Sequence, residues 1–241
     1  MNIYDNPHFF EKYSQMSRSK EGLSGAGEWS TLKELLPEFK NKKVLDLGSG
    51  YGWHCMYAAE KGASSVIGVE LSEKMLEIAK EKSNSPKIKY IHKNLEEVNF
   101  PAESFDIILS SLVFHYIEDY ERLIQKLYEM LKPNGHLIFT VEHPVFTAYG
   151  SQDWYYDEND EILHFPVDRY FYEEKREAVF LGEKMTKYHR TMTTYIDTLL
   201  RNDFCIKKVV EPKPPKNMLE QEGMLDEMRR PMMLIISATK N

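Results

Sequence analysis

The stretch "VLDLGSGYG", residues 44–52, constrains this chain more than any other. A short, largely apolar run is followed at once by glycines at 48, 50 and 52. Such a run reads as a buried strand, and the glycines let the chain turn sharply and bring its backbone close to a ligand. A second apolar run, Val66 to Glu70, follows after a helix-like stretch, Tyr51 to Lys61, that Gly62 stops. Two strands joined by a helix pair in parallel through a right-handed crossover.

The same alternation continues to about residue 141. Ser72 is a good N-cap for a helix over Glu73–Lys82, with Met75, Leu76, Ile78 and Ala79 on its inner face and Pro86 beyond its end. Strands are expected at Ile88–His92, Phe105–Ser110 and His136–Val141, with an amphipathic helix over Tyr120–Leu131 ended by "KPNG". After a change of character, a helix over Thr193–Asn202 and strands over Phe204–Val210 and Met232–Ala238 complete the pattern, with "EPKPPKN" as a loop. The expected fold is α/β: a doubly wound, seven-stranded, mostly parallel sheet. One domain accounts for all 241 residues. It divides into a helical N-terminal cap over 1–41 with "GLSGAGEW" as a flexible break, a core over 42–145, an insertion over 146–190, and a closing helix and strands over 191–241.

Glu70 lies 20 residues beyond Gly50, at the end of the second strand. In a doubly wound sheet that end borders the glycine loop, in the crevice where ligands bind. A carboxylate there can accept from both hydroxyls of a ribose, so loop and acid together predict adenosine recognition. A dinucleotide site wants a third glycine in the register glycine-x-glycine-x-x-glycine; here "GSGYG" is followed by "WHC". Asp46, at the end of the first strand, would repel a pyrophosphate and suits a cofactor bearing an amine and a sulfonium. The expected cofactor is S-adenosyl-L-methionine, not NAD.

The formal charge of −7 argues against a nucleic-acid partner. The N-terminus lacks the apolar core of a signal peptide, and no run approaches the roughly 18 apolar residues of a membrane span. Two cysteines far apart, Cys55 and Cys205, form no disulfide framework. A cytoplasmic protein is expected, with no membrane partner, as a monomer or homodimer. Eight histidines without close paired spacing predict no metal site.

"VLDLGSGYG" resembles the first motif of the class I S-adenosylmethionine-dependent methyltransferases, and "VIGVELSEKMLEIAK" resembles their second-strand motif. "FDIILSSLVFHYIEDYERLIQKLYEMLKPNGHLIFTVEHP" resembles the small-molecule branch called methyltransferase type 11, which includes ubiquinone-biosynthesis-like enzymes. The resemblance covers about 42–145 and is specific for fold and cofactor rather than for substrate. It implies that the backbone around Gly48, Ser49 and Gly50 wraps the methionine portion, beside Asp46. It further implies that Glu70 holds the ribose and Leu71 packs on the adenine. Asn94 and Leu95 would meet the adenine amine, although many relatives carry Asp at Asn94's position. Ser110 would offer backbone or hydroxyl to the cofactor's amino group. The activity implied is methyl transfer to a small-molecule acceptor by in-line displacement; the alternative is use of the fold for aminopropyl transfer or cofactor sensing.

Methyl transfer needs alignment more than acid–base chemistry, and no catalytic signature stands out. His115, in "LVFHY", and His143, in "VEHP", are candidates for the reaction centre, with packing or capping as the alternative for each. Twelve of the thirty aromatic residues fall between Phe146 and Tyr195, where helix–strand alternation lapses. "RYFYEEKREAVF" and "EKMTKYHRTM" suggest antiparallel strands there, read either as a mobile lid over the acceptor or as a packed extension. Tyr188, His189 and Arg190 are candidate acceptor contacts. Arg18 either pairs with the cofactor's carboxylate or, more simply, is an exposed surface residue.

Overall fold

The computed structural model describes residues 2–221 and 223–241. In chain order the elements are α1 (Pro7–Ser14), α2 (Ser17–Lys20), α3 (Trp29–Leu35), β1 (Lys43–Leu47), α4 (Trp53–Glu60), β2 (Ser65–Glu70), α5 (Glu73–Lys82), β3 (Ile88–His92), β4 (Phe105–Ser111), α6 (Tyr120–Met130), β5 (Leu131–Glu142), α7 (Pro144–Ala148), β6 (Tyr155–Tyr156), β7 (Ile162–His164), β8 (Lys175–Phe180), β9 (Glu183–Tyr188), α8 (Met192–Arg201), β10 (Phe204–Val210) and β11 (Met233–Lys240). Seven strands form one sheet in the order β10-β11-β5-β4-β1-β2-β3. β3, β2, β1, β4 and β5 run parallel, and β11 and β10 join antiparallel. The strand order reverses between β1 and β4, so the crevice at their carboxyl ends is the ligand position for this topology.

The central strands are largely apolar because helices cover both faces, with polar residues such as Asp46 and Ser110 towards their carboxyl ends. Val44, Leu45 and Leu47 of β1 are almost wholly buried. Leu45 and Leu47 join Ile124 and Leu127 of α6 and Tyr195 and Leu199 of α8 in one core layer. Val44 joins Leu32 of α3 and Cys55 and Ala58 of α4 in the other. Ser72, Asp119 and Thr191 each accept a backbone N–H at the start of α5, α6 and α8.

Three expectations change in detail. "GLSGAGEW" is no flexible break: Gly22–Gly25 form a 3₁₀ turn, and a Cβ on Gly25 would stand 2.3 Å from the Ser17 carbonyl oxygen. β5 begins at Leu131, because Leu131 already pairs with Phe105 of β4 and "KPNG", with Asn134 at φ 60°, bulges out before pairing resumes at His136. In the insertion only Lys175–Phe180 of the first segment is strand, pairing with β9 as a hairpin, while β6 and β7 form a second small antiparallel pair.

Candidate active site

The loop after β1 is shaped by backbone bonds. Gly48 and Ser49 both donate to the Val69 carbonyl at 2.8 and 3.0 Å, which folds the loop over the end of β2. Gly48 and Gly50 take φ of 75° and 51°, a left-handed conformation that side chains disfavour. A Cβ on Gly50 would meet nothing within 4 Å, so its backbone faces open space. Glu70 pins this loop to the start of α5. Its Oε2 accepts from the Gly50 N–H at 2.9 Å, and its Oε1 from the Leu71 and Ser72 N–H groups at 2.8 and 2.9 Å. Burial pushes the Glu70 carboxyl up, and the three backbone donors only partly oppose it. Leu71 beside it is 43 % exposed.

Beneath the loop Asp46 is 1 % exposed and accepts from the Cys55 thiol at 3.2 Å, while its Oδ1 has no partner. Burial pushes its carboxyl up to about 7. Asp46 is therefore under the crevice, among α4 side chains, and does not line it as the sequence suggested. Ser110 is likewise turned away, its hydroxyl donating to the Leu47 carbonyl within the sheet at 2.9 Å. The next residue, Ser111, lines the crevice instead. Asn94 accepts from the Glu96 N–H as the cap of a short turn, and Leu95 is buried in the core, so neither presents a free side chain upward.

An open cavity lies over the loop, walled by Gly48–Tyr51, Ser111, Tyr13, Arg18 and Glu28. Arg18 is not a surface residue: it is largely covered and pairs with the buried Glu28 at 2.5 Å. Burial raises the Glu28 carboxyl, but Arg18 outweighs this and holds it below the usual carboxylate range. Ser19 Oγ, Glu28 Oε2, Ser49 Oγ and Trp53 Nε1 are buried without partners around this cavity. Such atoms are costly unless something satisfies them. A zwitterionic amino-acid moiety fits: a guanidinium for its carboxylate, and acceptors on Glu28 and Ser49 for its amine.

α1 roofs the crevice. Asp5, just before it, accepts from the Ser72 hydroxyl at 2.7 Å, and the ring of Tyr13 meets those of Tyr4 and Tyr51. On the far side of the roof the ends of β4 and β5 carry a buried polar network. Glu142 accepts from Lys187 Nζ and Gln152 Nε2, each at 2.7 Å, and Lys187 also donates to Gln152 Oε1 at 2.7 Å. His115 Nδ1 accepts from the Glu142 N–H at 3.3 Å, and its Nε2 stands 4.0 Å from Glu142 Oε1. Burial pushes the His115 imidazole down to about 4, so it is neutral. Burial raises the Glu142 carboxyl, and the Lys187 charge with the hydrogen bonds from Lys187 and Gln152 pulls it below its ordinary value. Arg190 donates to the carbonyls of Phe114, Ile117 and Glu118, clamping the loop that bears His115.

A methyltransferase-domain family model matches residues 45–139. A candidate S-adenosylmethionine-dependent methyltransferase from Listeria monocytogenes is 54 % identical, spans 91 % of this chain and 99 % of its own, and superposes with a TM-score of 0.88. An S-adenosylmethionine-dependent methyltransferase from Mesorhizobium loti is 38 % identical over 91 % of this chain and 100 % of its own, with a TM-score of 0.84. The chain belongs to the S-adenosylmethionine-dependent methyltransferases. The phosphoethanolamine N-methyltransferase of Plasmodium falciparum is 33 % identical over 126 residues, 50 % of this chain and 47 % of that protein. The chain thus matches about half the length of that relative.

In this methyltransferase the structure gathers Gly48, Ser49 and Gly50 around one crevice, with Glu70 bonded to the Gly50 N–H and Leu71 exposed beside Glu70. It separates the remaining candidates. His143 caps α7, accepting from the Val145 N–H at 3.0 Å, and lies 2.8 Å from Glu211 Oε1. His189 has both ring nitrogens engaged, with Thr147 Oγ1 at 2.8 Å and the Tyr170 carbonyl at 2.9 Å, so it has none left for an acceptor. Tyr188 packs beside the Arg190 guanidinium. Glu28, Tyr4, Tyr13, Tyr116, Glu142, Gln152 and Lys187 were not foreseen. Glu142 stands in the quoted "VEHP", and a carboxylate at a parallel strand's carboxyl end is the signal that marked Glu70.

Proposed function

We propose that the methyltransferase acts on a small-molecule acceptor by in-line displacement, with catalysis chiefly by positioning. When bound, S-adenosylmethionine supplies a methyl group already activated by the adjacent sulfonium. The chain's part is to hold and to enclose. Arg18 and Glu28 take the amino-acid end, Glu70 the ribose hydroxyls, and Leu71 one face of the adenine. Tyr4, Tyr13 and Tyr116 exclude water between the crevice and the Glu142 network, which raises the worth of alignment.

The single observation that carries this reading is the state of the acceptor side. His115 is neutral with Nδ1 engaged, and Glu142 is satisfied by Lys187 and Gln152. No side chain there is poised to take a proton, which leaves alignment as the means of catalysis. The acidic formal charge of −7 and the roofed crevice support a small acceptor over a nucleic acid. Two free cysteines fit a reducing, cytoplasmic setting. The test is methyl-labelled S-adenosylmethionine with the protein and, separately, pools of small metabolites, RNA and protein. Label is expected in the small-metabolite pool; label confined to RNA or protein overturns the proposal.

A further inference from the structure

We propose that the indole N–H of Trp53 and the hydroxyl of Ser19 join Arg18 in holding the carboxylate of the cofactor's amino-acid end, so that the site takes the intact cofactor and turns away its decarboxylated form. This rests on the assignment of that end to Arg18 and Glu28 above.

The cavity over the glycine loop is lined by one cation and one anion, Arg18 and Glu28. His54, also at its wall, is neutral, because burial pushes its imidazole down to about 4. The lining is therefore neutral in sum. A ligand bearing a single charge would leave it charged in surroundings that screen poorly, whereas one bearing both signs keeps it neutral.

The orphaned polar atoms sort in the same way. Glu28 Oε2 can only accept, Trp53 Nε1 can only donate, and the hydroxyls of Ser19 and Ser49 can do either. One cavity thus asks for a donor at Glu28 and an acceptor at Trp53. Arg18 Nη2 donates to Glu28 Oε1, and the guanidinium has no other acceptor among the described residues. It keeps N–H groups to give to the same acceptor as the indole.

The fold brings these donors together. Gly22 lies against the indole, where a Cβ would stand 2.9 Å from two ring carbons. The 3₁₀ turn that begins at Gly22 therefore seats the segment bearing Arg18 and Ser19 on Trp53, the first residue of α4. Lys82 Nζ stands 4.9 Å from the centre of the same ring and helps to fix it. Ser19 is 6 % exposed, so water does not readily serve its hydroxyl. A ligand with an amine alone would satisfy Glu28 and leave Trp53 Nε1 buried and unpaired, a cost that a carboxylate removes.

Decarboxylation of S-adenosylmethionine leaves an aminopropyl group on the sulfonium, which is the donor that aminopropyl transfer requires. A site built on these three donors supplies methyl transfer with its cofactor and denies aminopropyl transfer its own.

The experiment is calorimetric titration of the protein with S-adenosylhomocysteine, with its decarboxylated form and with methylthioadenosine, which lacks the whole amino-acid end. Each titration is repeated on Trp53→Phe and Ser19→Ala. Wild type is expected to prefer S-adenosylhomocysteine to the decarboxylated form by at least about 100-fold, since more than one hydrogen bond to a charged group is lost. Each variant should lower that ratio about tenfold, the worth of one such bond. Methylthioadenosine affinity should stay within about twofold, which also shows that each variant is folded. A large wild-type ratio that either folded variant leaves unchanged overturns the proposal for that donor. A wild-type ratio within about threefold of one overturns the assignment of Arg18 and Glu28 as well. No acceptor enters these titrations, so methyl label found only in RNA or protein would overturn the functional reading above and leave this inference standing.

Discussion

Glu70→Gln is the sharpest probe of the crevice. The carboxylate accepts three backbone N–H groups, from Gly50, Leu71 and Ser72. An amide keeps one oxygen, which can still serve Leu71 and Ser72 from the Oε1 position. The other position becomes an NH₂ aimed at the Gly50 N–H, donor against donor. Leaving a donor unsatisfied costs about 1–3 kcal/mol. Gly50 and Glu70 are only half-buried, so about 2 kcal/mol is the reasonable figure. A ribose hydroxyl bonded to that same oxygen loses an acceptor of similar worth. S-adenosylhomocysteine affinity should therefore fall by roughly 30-fold or more. Glu70→Asp keeps the charge on a shorter arm and should fall between. Calorimetry gives the affinities, and thermal unfolding establishes that the variants are folded. A folded Glu70→Gln protein that binds S-adenosylhomocysteine within about threefold of wild type would refute both the loop anchor and the ribose assignment.

Asp46→Asn tests the buried acid beneath the loop. Its folded-state carboxyl is raised from an ordinary 3.8 to about 7, so the folded state binds the proton more tightly. Its stabilising effect is complete below 3.8 and is lost as pH rises to about 7, and wild-type stability relative to Asp46→Asn should decline over that window; a flat difference in melting temperature from pH 4 to 8 would count against it. Lys187→Met should leave Glu142 buried and unpaired and cost about 3–5 kcal/mol, roughly 6–20 °C in melting temperature, whereas Lys187→Met with Glu142→Gln should recover part of that loss. A double variant no more stable than the single would mean the pair carries no coupling.

The core was legible because each signal in it is local. Val44, Leu45 and Leu47 are apolar on both faces since helices cover both, Gly48 and Gly50 mark the turn, and Ser72 caps the next helix within three residues. The acceptor side was opaque because its bonds join distant segments. Lys187 reaches Glu142 across 45 residues, and Tyr4 reaches Tyr116 across 112. No periodicity announces such a pair, and Lys187 on a strand reads as solvated until its partner is known. Arg18 and Glu28 were hidden for the opposite reason. They are ten residues apart in a polar segment, and only the 3₁₀ turn between them brings the charges inward. Asp46 misled because strand alternation fixes which face a residue takes, whereas the motif says only that an acid stands at the strand end.

The contrast between local and distant bonds also orders the folding of the chain. Residues 43–92 close through neighbouring strand–helix–strand units, whose contacts carry little loop-closure entropy and form early. The roof and the Glu142–Lys187 link must wait until residues near positions 4, 116, 142 and 187 have met. Those segments are then the last to assemble and the first to open when stability is eroded. Under mild denaturation the protein should pass through a form whose glycine loop still grips nucleoside while its acceptor wall has come apart, so that turnover is lost before cofactor affinity.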